Sequence, residues 1–197
     1  MKNNTTLRGR VSLKTKIGRT IWNIVAFFLF RPFVTGLFRR WRIMILRLFG
    51  AHIHPSANIY ASAKIWAPWN LIMEKGTCLG PDVICYNQDI IMLEEGAIVS
   101  QHCYLCTASH DITKLNRPLI TAPITIKRKA WVASDAFIGM GVTVGEFSVI
   151  GARACVYKDV EPYTVVGGNP AKLLKVRNVN KIGGVRINTW QPTDQAA

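Results

Sequence analysis

From Ile126 to Val160 an aliphatic residue returns every six positions: Ile126, Val132, Ile138, Val144, Ile150 and Val156. The next residue is mostly tiny (Ala133, Gly139, Gly145, Gly151). Four places after each aliphatic comes a small or branched one, namely Ala130, Ala136, Val142, Ser148, Ala154 or Val160. A helix repeats near 3.6 residues and a strand at 2, so neither element alone asks for this beat. A short strand and a turn, repeated, does, which is the hexapeptide form of a β-helix. The aliphatic points inward on each flat face, and the small residue after it is expected to let the chain bend at the corner.

The beat begins earlier, at Ile53, Ile59, Ile65 and Leu71. It slips by two residues to Met73, Leu79, Cys85 and Ile91, and again to Leu93, Val99 and Leu105, as insertions at corners would produce. It then stops until Ile126, so residues 110–123 read as a loop thrown out from the coil, where function usually sits on a rigid solenoid. After Val160 comes Val166-Gly167-Gly168-Asn169-Pro170-Ala171-Lys172, preceded by Lys158-Asp159-Val160-Glu161-Pro162. Hexads and terminal signature together resemble the hexapeptide-repeat acyltransferases. The resemblance implies a left-handed parallel β-helix, all-β, of about six coils over 53–176. With Trp66-Ala67-Pro68-Trp69-Asn70-Leu71 and Cys106-Thr107-Ala108-Ser109-His110-Asp111, it is similar to the branch acting in colanic-acid and exopolysaccharide biosynthesis.

The formal charge is +14 over 197 residues, which calls for an anionic partner. Eleven Lys and Arg and no acid precede residue 51, and a second basic cluster is Lys172, Lys175, Arg177, Lys181 and Arg186. No aromatic–basic interleaving of a nucleic-acid module is present, so nucleic acid is not the expected partner. Three segments follow: a basic, apolar N-terminal helical segment (1–50), the β-helix (51–176) and a basic-to-polar tail (177–197). Residues 1–15 show no periodicity and read as a mobile start. Two helices are expected across Ile21–Phe30 and Phe33–Phe49, with Pro32 opening the second and Gly50 ending it. Ten apolar residues are too few to span a bilayer. Aromatics mixed with Arg fit a membrane-surface anchor through 17–50, and equally a cap on the open end of the coil. Cytoplasmic location is expected, peripheral on the inner membrane face if the anchor reading holds.

Five scattered cysteines (Cys78, Cys85, Cys103, Cys106, Cys155) argue for reduced thiols. Cys103 falls in the small inward column, so Cys103-x-x-Cys106 reads as packing rather than a redox or metal pair.

Among His52, His54, His102 and His110, only His110 opens the ejected loop, and Thr107-Ala108-Ser109-His110 matches the family's catalytic context. The resemblance implies acetyl transfer from acetyl-CoA to a sugar hydroxyl, with His110 as general base. An imidazole near neutrality suits that task. Backbone N–H groups are expected to hold the oxyanion, and Asp111 or a backbone carbonyl to orient the ring. Ser109 lacks the Gly-x-Ser-x-Gly setting of a serine hydrolase. Carried over from the family, acetyl-CoA contacts would be Ser134, Gly151, Ala152, Tyr157, Lys158, Lys172 and Lys175, with the pantetheine arm lying along Gly139, Gly145 and Gly151. Tyr157 replaces the Thr of many relatives, and the two lysines replace Arg, keeping charge without its fork geometry. Asn87 and Asp82 are the nearest sugar-binding candidates. The family implies a homotrimer. No metal is expected: a γ-type carbonic anhydrase shares the fold, but His52 and His54 lie too early to join His102 and His110. A non-catalytic β-helix scaffold is the remaining alternative.

Overall fold

The computed structural model describes residues 6–8 and 12–177. Lys2, Arg10, Lys181 and Arg186 lie outside these residues, as does the tail after Arg177. The hexads build three parallel sheets, which form the flat faces of a solenoid. Face A stacks His52–Ile53, Leu71–Met73, Ile91–Leu93, Ile124–Ile126 and Thr143–Val144. Face B stacks Asn58–Ile59, Cys78–Leu79, Ile98–Val99, Trp131–Val132, Val149–Ile150 and Thr164–Gly167, one strand for each of six coils. Face C stacks Lys64–Ile65, Ile84–Tyr86, Tyr104–Cys106, Phe137–Ile138 and Cys155–Val156. All six aliphatics of the 126–156 beat are buried in the single core, as is the small column through Ala130, Ala136, Ser148 and Ala154.

The bend differs from the expectation. At ten corners positive φ falls three residues after an inward residue: at Gly76, Gly96 and Gly141, but also at Asp82, His102, Lys129, Asp135, Phe147, Arg153 and Tyr163. The small residue directly after the aliphatic answers a different constraint, the close approach of the next coil. A Cβ on Gly145 would lie 2.4 Å from Pro162 N, and one on Gly139 or Gly151 would lie 3.2 Å from the carbonyl oxygen of Val156 or Val166. Coil stacking is therefore one constraint that keeps these positions small, and it is tightest at Gly145.

Both two-residue slips fall at the corner from face C to face A, between Ile65 and Met73 and between Cys85 and Leu93. The extra residues lengthen face A strands so that Leu71 and Ile91 also point inward. The ejected loop leaves from the same corner, one coil later. It is a hairpin, Ala108–His110 against Leu119–Thr121, and Thr6–Arg8 adds a third antiparallel strand to it. The N-terminal stretch therefore contains a strand, where sequence gave no periodicity.

Helix α1 spans Leu13–Val25, with the Ser12 hydroxyl accepting from Thr15 N, and runs into a π-helical turn at Ala26–Phe30. Helix α2 spans only Arg39–Leu48. It begins seven residues after Pro32: Arg42 donates to the carbonyls of Phe33 and Thr35, and a 3-10 turn, Gly36–Phe38, opened by Phe38 N on Thr35 O, leads into the helix. Gly50 ends α2 with φ +86°, its N–H on Arg47 O and that of Ala51 on Leu46 O.

These helices cap the first coil, and the chemistry of the cap is specific. Each coil gives its amide hydrogens to the carbonyls of the next, as in Asn58 N to Thr77 O at 2.8 Å. The carbonyls of the first coil therefore have no coil before them, and side chains of the helical segment replace it. Arg47 donates to Ile53 O, Arg39 to Pro55 O and Ala57 O, Arg42 to Ile59 O, and Trp22 Nε1 to Ile65 O. The donors reach all three faces. Trp22, Phe30, Ile43, Ile45 and Leu46 close the core beneath them.

Candidate active site

His110 ends the outgoing strand of the hairpin, paired with Leu119, and is exposed. Its Nδ1 lies 2.7 Å from the carbonyl oxygen of Arg117 across the hairpin. A carbonyl can only accept, so Nδ1 carries the hydrogen and the neutral ring presents Nε2 as a free acceptor. That is the tautomer a general base needs. The orienting group is thus the backbone carbonyl. Asp111 instead organises the hairpin tip through Thr113 N and Oγ1 at 3.1 and 2.6 Å. The Thr113 hydroxyl, then its amide and Lys114, hold the Asp111 carboxyl below its ordinary range.

The root of the hairpin is locked from inside the corner. The buried Thr107 hydroxyl donates to Tyr86 O and accepts from Asp89 N, both at 2.9 Å, and Thr121 Oγ1 donates to Asp89 Oδ2 at 2.9 Å. Asn87 belongs to this framework. Its side chain is buried, accepts from Ala67 N at 3.0 Å and donates to Ala67 O at 2.6 Å. It therefore supports the corner and does not face an acceptor. Asp82 occupies a positive-φ corner between faces B and C, a different edge from that of His110.

The other candidates fall on two edges. Ser134, Gly151 and Ala152 stack in successive coils on the edge between faces B and C, about 4.8 Å apart per coil. Lys172 joins them, because the strand Lys172–Val176 folds back and pairs Lys172 with Gly167; Lys175 lies further along it, opposite Val165. Both lysines are exposed. Arg153, which sequence reasoning did not single out, adds a cation to this edge, its N–H on Ser134 O at 2.9 Å. Its corner position in the repeat was the available signal. This edge has the small residues and cations that a phosphorylated, extended ligand requires. Tyr157 and Lys158 lie instead on the edge between faces C and A, on the side of the hairpin. Between the edges, the outer surface of face C carries an aromatic ladder, Trp66–Tyr86–Tyr104–Phe137–Tyr157, with centroid spacings of 5.9, 6.5, 5.6 and 5.6 Å.

Among the described residues no three His, Cys, Asp or Glu side chains gather as a metal site. All five cysteines are free. Cys103, just before the strand Tyr104–Cys106, is buried in the core, whereas Cys106 is half-buried at the strand's end. Burial pushes the Cys85 thiol up to about 12 and that of Cys103 to about 11.

A hexapeptide solenoid with a histidine-bearing hairpin at one corner defines the class of solenoid acyltransferases. No protein-family model matches the chain. It is 40% identical over 138 residues to an Escherichia coli K12 protein named as a colanic acid biosynthesis acetyltransferase, WcaF, across 70% of this chain and 76% of that one. It is 29% identical over 130 residues to the galactoside O-acetyltransferase of E. coli K12, covering 66% and 57% of the two chains. A hexapeptide-repeat-containing acetyltransferase of Vibrio cholerae, solved with acetyl coenzyme A, matches with a TM-score of 0.74 at 24% identity, covering 88% of this chain and 96% of that one. The chain belongs to the hexapeptide-repeat acetyltransferase family, and its solenoid is the family's left-handed parallel β-helix.

Proposed function

We propose that this protein moves an acetyl group from acetyl-CoA to a hydroxyl of a sugar in surface-polysaccharide biosynthesis, with His110 as general base. The observation that carries the reading is the bond between His110 Nδ1 and Arg117 O, which leaves Nε2 free to take a proton. Nε2 removes the acceptor's hydroxyl proton as the oxygen attacks the thioester carbonyl. The C–S bond then breaks and the imidazolium returns the proton to the departing thiolate. The relatives' names support the donor and the class of acceptor: a colanic acid biosynthesis acetyltransferase, a galactoside O-acetyltransferase and a complex with acetyl coenzyme A.

The working unit in this proposal is a homotrimer. Within one chain, His110 and the Ser134–Ala152 strip are separated by the width of face C, about 20 Å for six extended residues. A neighbouring copy would supply the missing wall. The outward column Ile98, Trp131, Val149 and Val165 on face B offers an apolar surface for it. Lys172, Lys175 and Arg153 would take the phosphates of the donor, and Ser134, Gly151 and Ala152 its extended arm. Tyr157 and Lys158 would contact it from the His110 edge.

The enzyme works, in this reading, at the inner surface of a membrane. No helix of the described residues is long and apolar enough to cross one. The cap and the surface anchor are compatible, because the helices that bury Trp22 and Phe30 expose Ile24, Phe27 and Phe28. Thiol release from acetyl-CoA, measured with free sugars, nucleotide-sugars and lipid-linked oligosaccharides, tests the function. Release that depends on a saccharide acceptor supports it, and acetyl-CoA binding without any saccharide-dependent release contradicts it.

A further inference from the structure

Helix α1 and the π-helical turn that continues it carry two apolar stripes. One, through Trp22, Ala26 and Phe30, is buried on the first coil. The other, Leu13, Ile17, Ile21, Ile24 and Phe28, repeats every three or four residues and is exposed, with Ile24 at 56% and Phe28 at 64%. A helix apolar on both sides wants an apolar medium on both. Beside the exposed stripe, a cleft of about 400 Å³ opens between α1 with its π-helical turn and the lower part of face C. Three cations line it, Arg19, Arg31 and Lys64, with Trp66, Tyr86 and Phe27.

The cations in the cleft are unneutralised. The first acidic residue of the whole chain is Glu74, and none of the three forms a salt bridge or a side-chain hydrogen bond among the described residues. Arg19 stacks its guanidinium 4.0 Å over the Trp66 ring, and its Nε is buried without a partner. Three other arginines of the segment are spoken for: Arg39, Arg42 and Arg47 are engaged on carbonyls of the first coil, while Arg40 lies exposed outside the cleft lining. Phe27 belongs to the cleft wall and is also 61% exposed beside the apolar stripe. A cation-lined cleft thus opens directly onto an apolar surface.

We propose that this cleft binds the phosphate of an anionic membrane lipid while the exposed stripe of α1 lies in the interfacial layer of the bilayer. The proposal deepens the membrane part of the proposed function and does not depend on the acetyl-transfer part. Charge complementarity selects the occupant. A second copy of this chain would bring the same cations against the cleft, whereas an acidic bilayer supplies phosphate and hydrocarbon side by side.

The experiment is vesicle co-sedimentation of the full chain with phosphatidylcholine alone and with phosphatidylcholine containing phosphatidylglycerol. Three proteins are compared: wild type, Arg31→Gln/Lys64→Gln, and Arg→Gln-equivalent charge removal far from the cleft, Lys75→Gln/Lys129→Gln. All four positions are exposed, so folding is retained. Wild type is expected to bind only the phosphatidylglycerol vesicles. The cleft variant should lose about tenfold or more in affinity, and the remote variant about twofold at most. Equal loss in both variants, or none in the cleft variant while wild type binds, overturns the cleft and leaves the membrane reading standing. Failure of wild type to bind overturns both, with the acetyl-transfer reading untouched. Soluble glycerol phosphate binding as tightly as vesicles would assign the cleft to a free phosphate and overturn the lipid proposal. A change of assembly state by light scattering in Ile17→Ser/Phe28→Ser would assign the stripe to a second copy, with the same consequence.

Discussion

Arg42 is a test of how the open end of the solenoid is closed. The residue is 3% exposed, and its guanidinium donates to Ile59 O at 2.8 Å, Phe33 O at 2.5 Å and Thr35 O at 3.0 Å. Burial, and next the charge of Arg39, lower its pKa, so the group is held at a cost. Arg42→Met keeps the length of the side chain and removes every donor. Hydrogen bonds from a charged group contribute about 1.5–3 kcal/mol each. Set against three of these is relief from burying a cation, several kcal/mol. A net loss of about 2–4 kcal/mol follows. At about 2–4 °C per kcal/mol for a chain of this size, Tm should fall by roughly 5–15 °C. Circular dichroism melts measure the global effect, and amide hydrogen exchange the local one. The amides of Asn58 and Tyr60, bonded to Thr77 O and Leu79 O, should lose protection, while that of Trp131 on Ser148 O, three coils further along, changes far less. An unchanged Tm with unchanged protection at Asn58 and Tyr60 would refute the claim that side chains stand in for a missing coil.

Three further outcomes are expected. Gly145→Ala should destabilise by about 1–3 kcal/mol, because its Cβ meets Pro162 N at 2.4 Å, whereas Gly139→Ala, at 3.2 Å from Val156 O, should cost less than half as much in urea unfolding. A thiol reagent at pH 8 should leave Cys85 and Cys103 unlabelled in the native protein, since burial raises their pKa to about 12 and about 11, and label them after unfolding; mass spectrometry reads the sites. Removal of residues 1–8 takes the third strand from the His110 hairpin and should lower kcat severalfold with little change in KM for acetyl-CoA, a split that steady-state kinetics resolves.

The solenoid was legible because its inward columns repeat one residue class at one spacing. Ile126 through Val156 can satisfy that beat in few other folds. The corners were not, because positive φ is imposed by the coil and accepted by residues as different as Asp82, His102, Phe147 and Tyr163. Gly145 looked available to a ligand because sequence does not show that residues 160–162 return against it. The place of His110 at the start of the ejected loop was legible from the break in the beat. Its orienting partner was not, since a backbone carbonyl, that of Arg117, leaves no mark on residue identity. Asn87 shows the converse: a polar residue near the loop whose amide is spent on Ala67. In the N-terminal segment, Arg39, Arg42 and Arg47 read like arginines facing phosphate. The structure turns them onto carbonyls and leaves Arg19 and Arg31 with no such partners.

The central claim is that His110 is the base, and the most direct measurement is acetyl-CoA thiol release with a saturating saccharide acceptor, comparing wild type with His110→Ala. The account predicts that kcat falls by about 10²-fold or more while the affinity for acetyl-CoA, measured calorimetrically, stays the same. A kcat within a few-fold of wild type would show that the proton leaves by another route and would contradict the account.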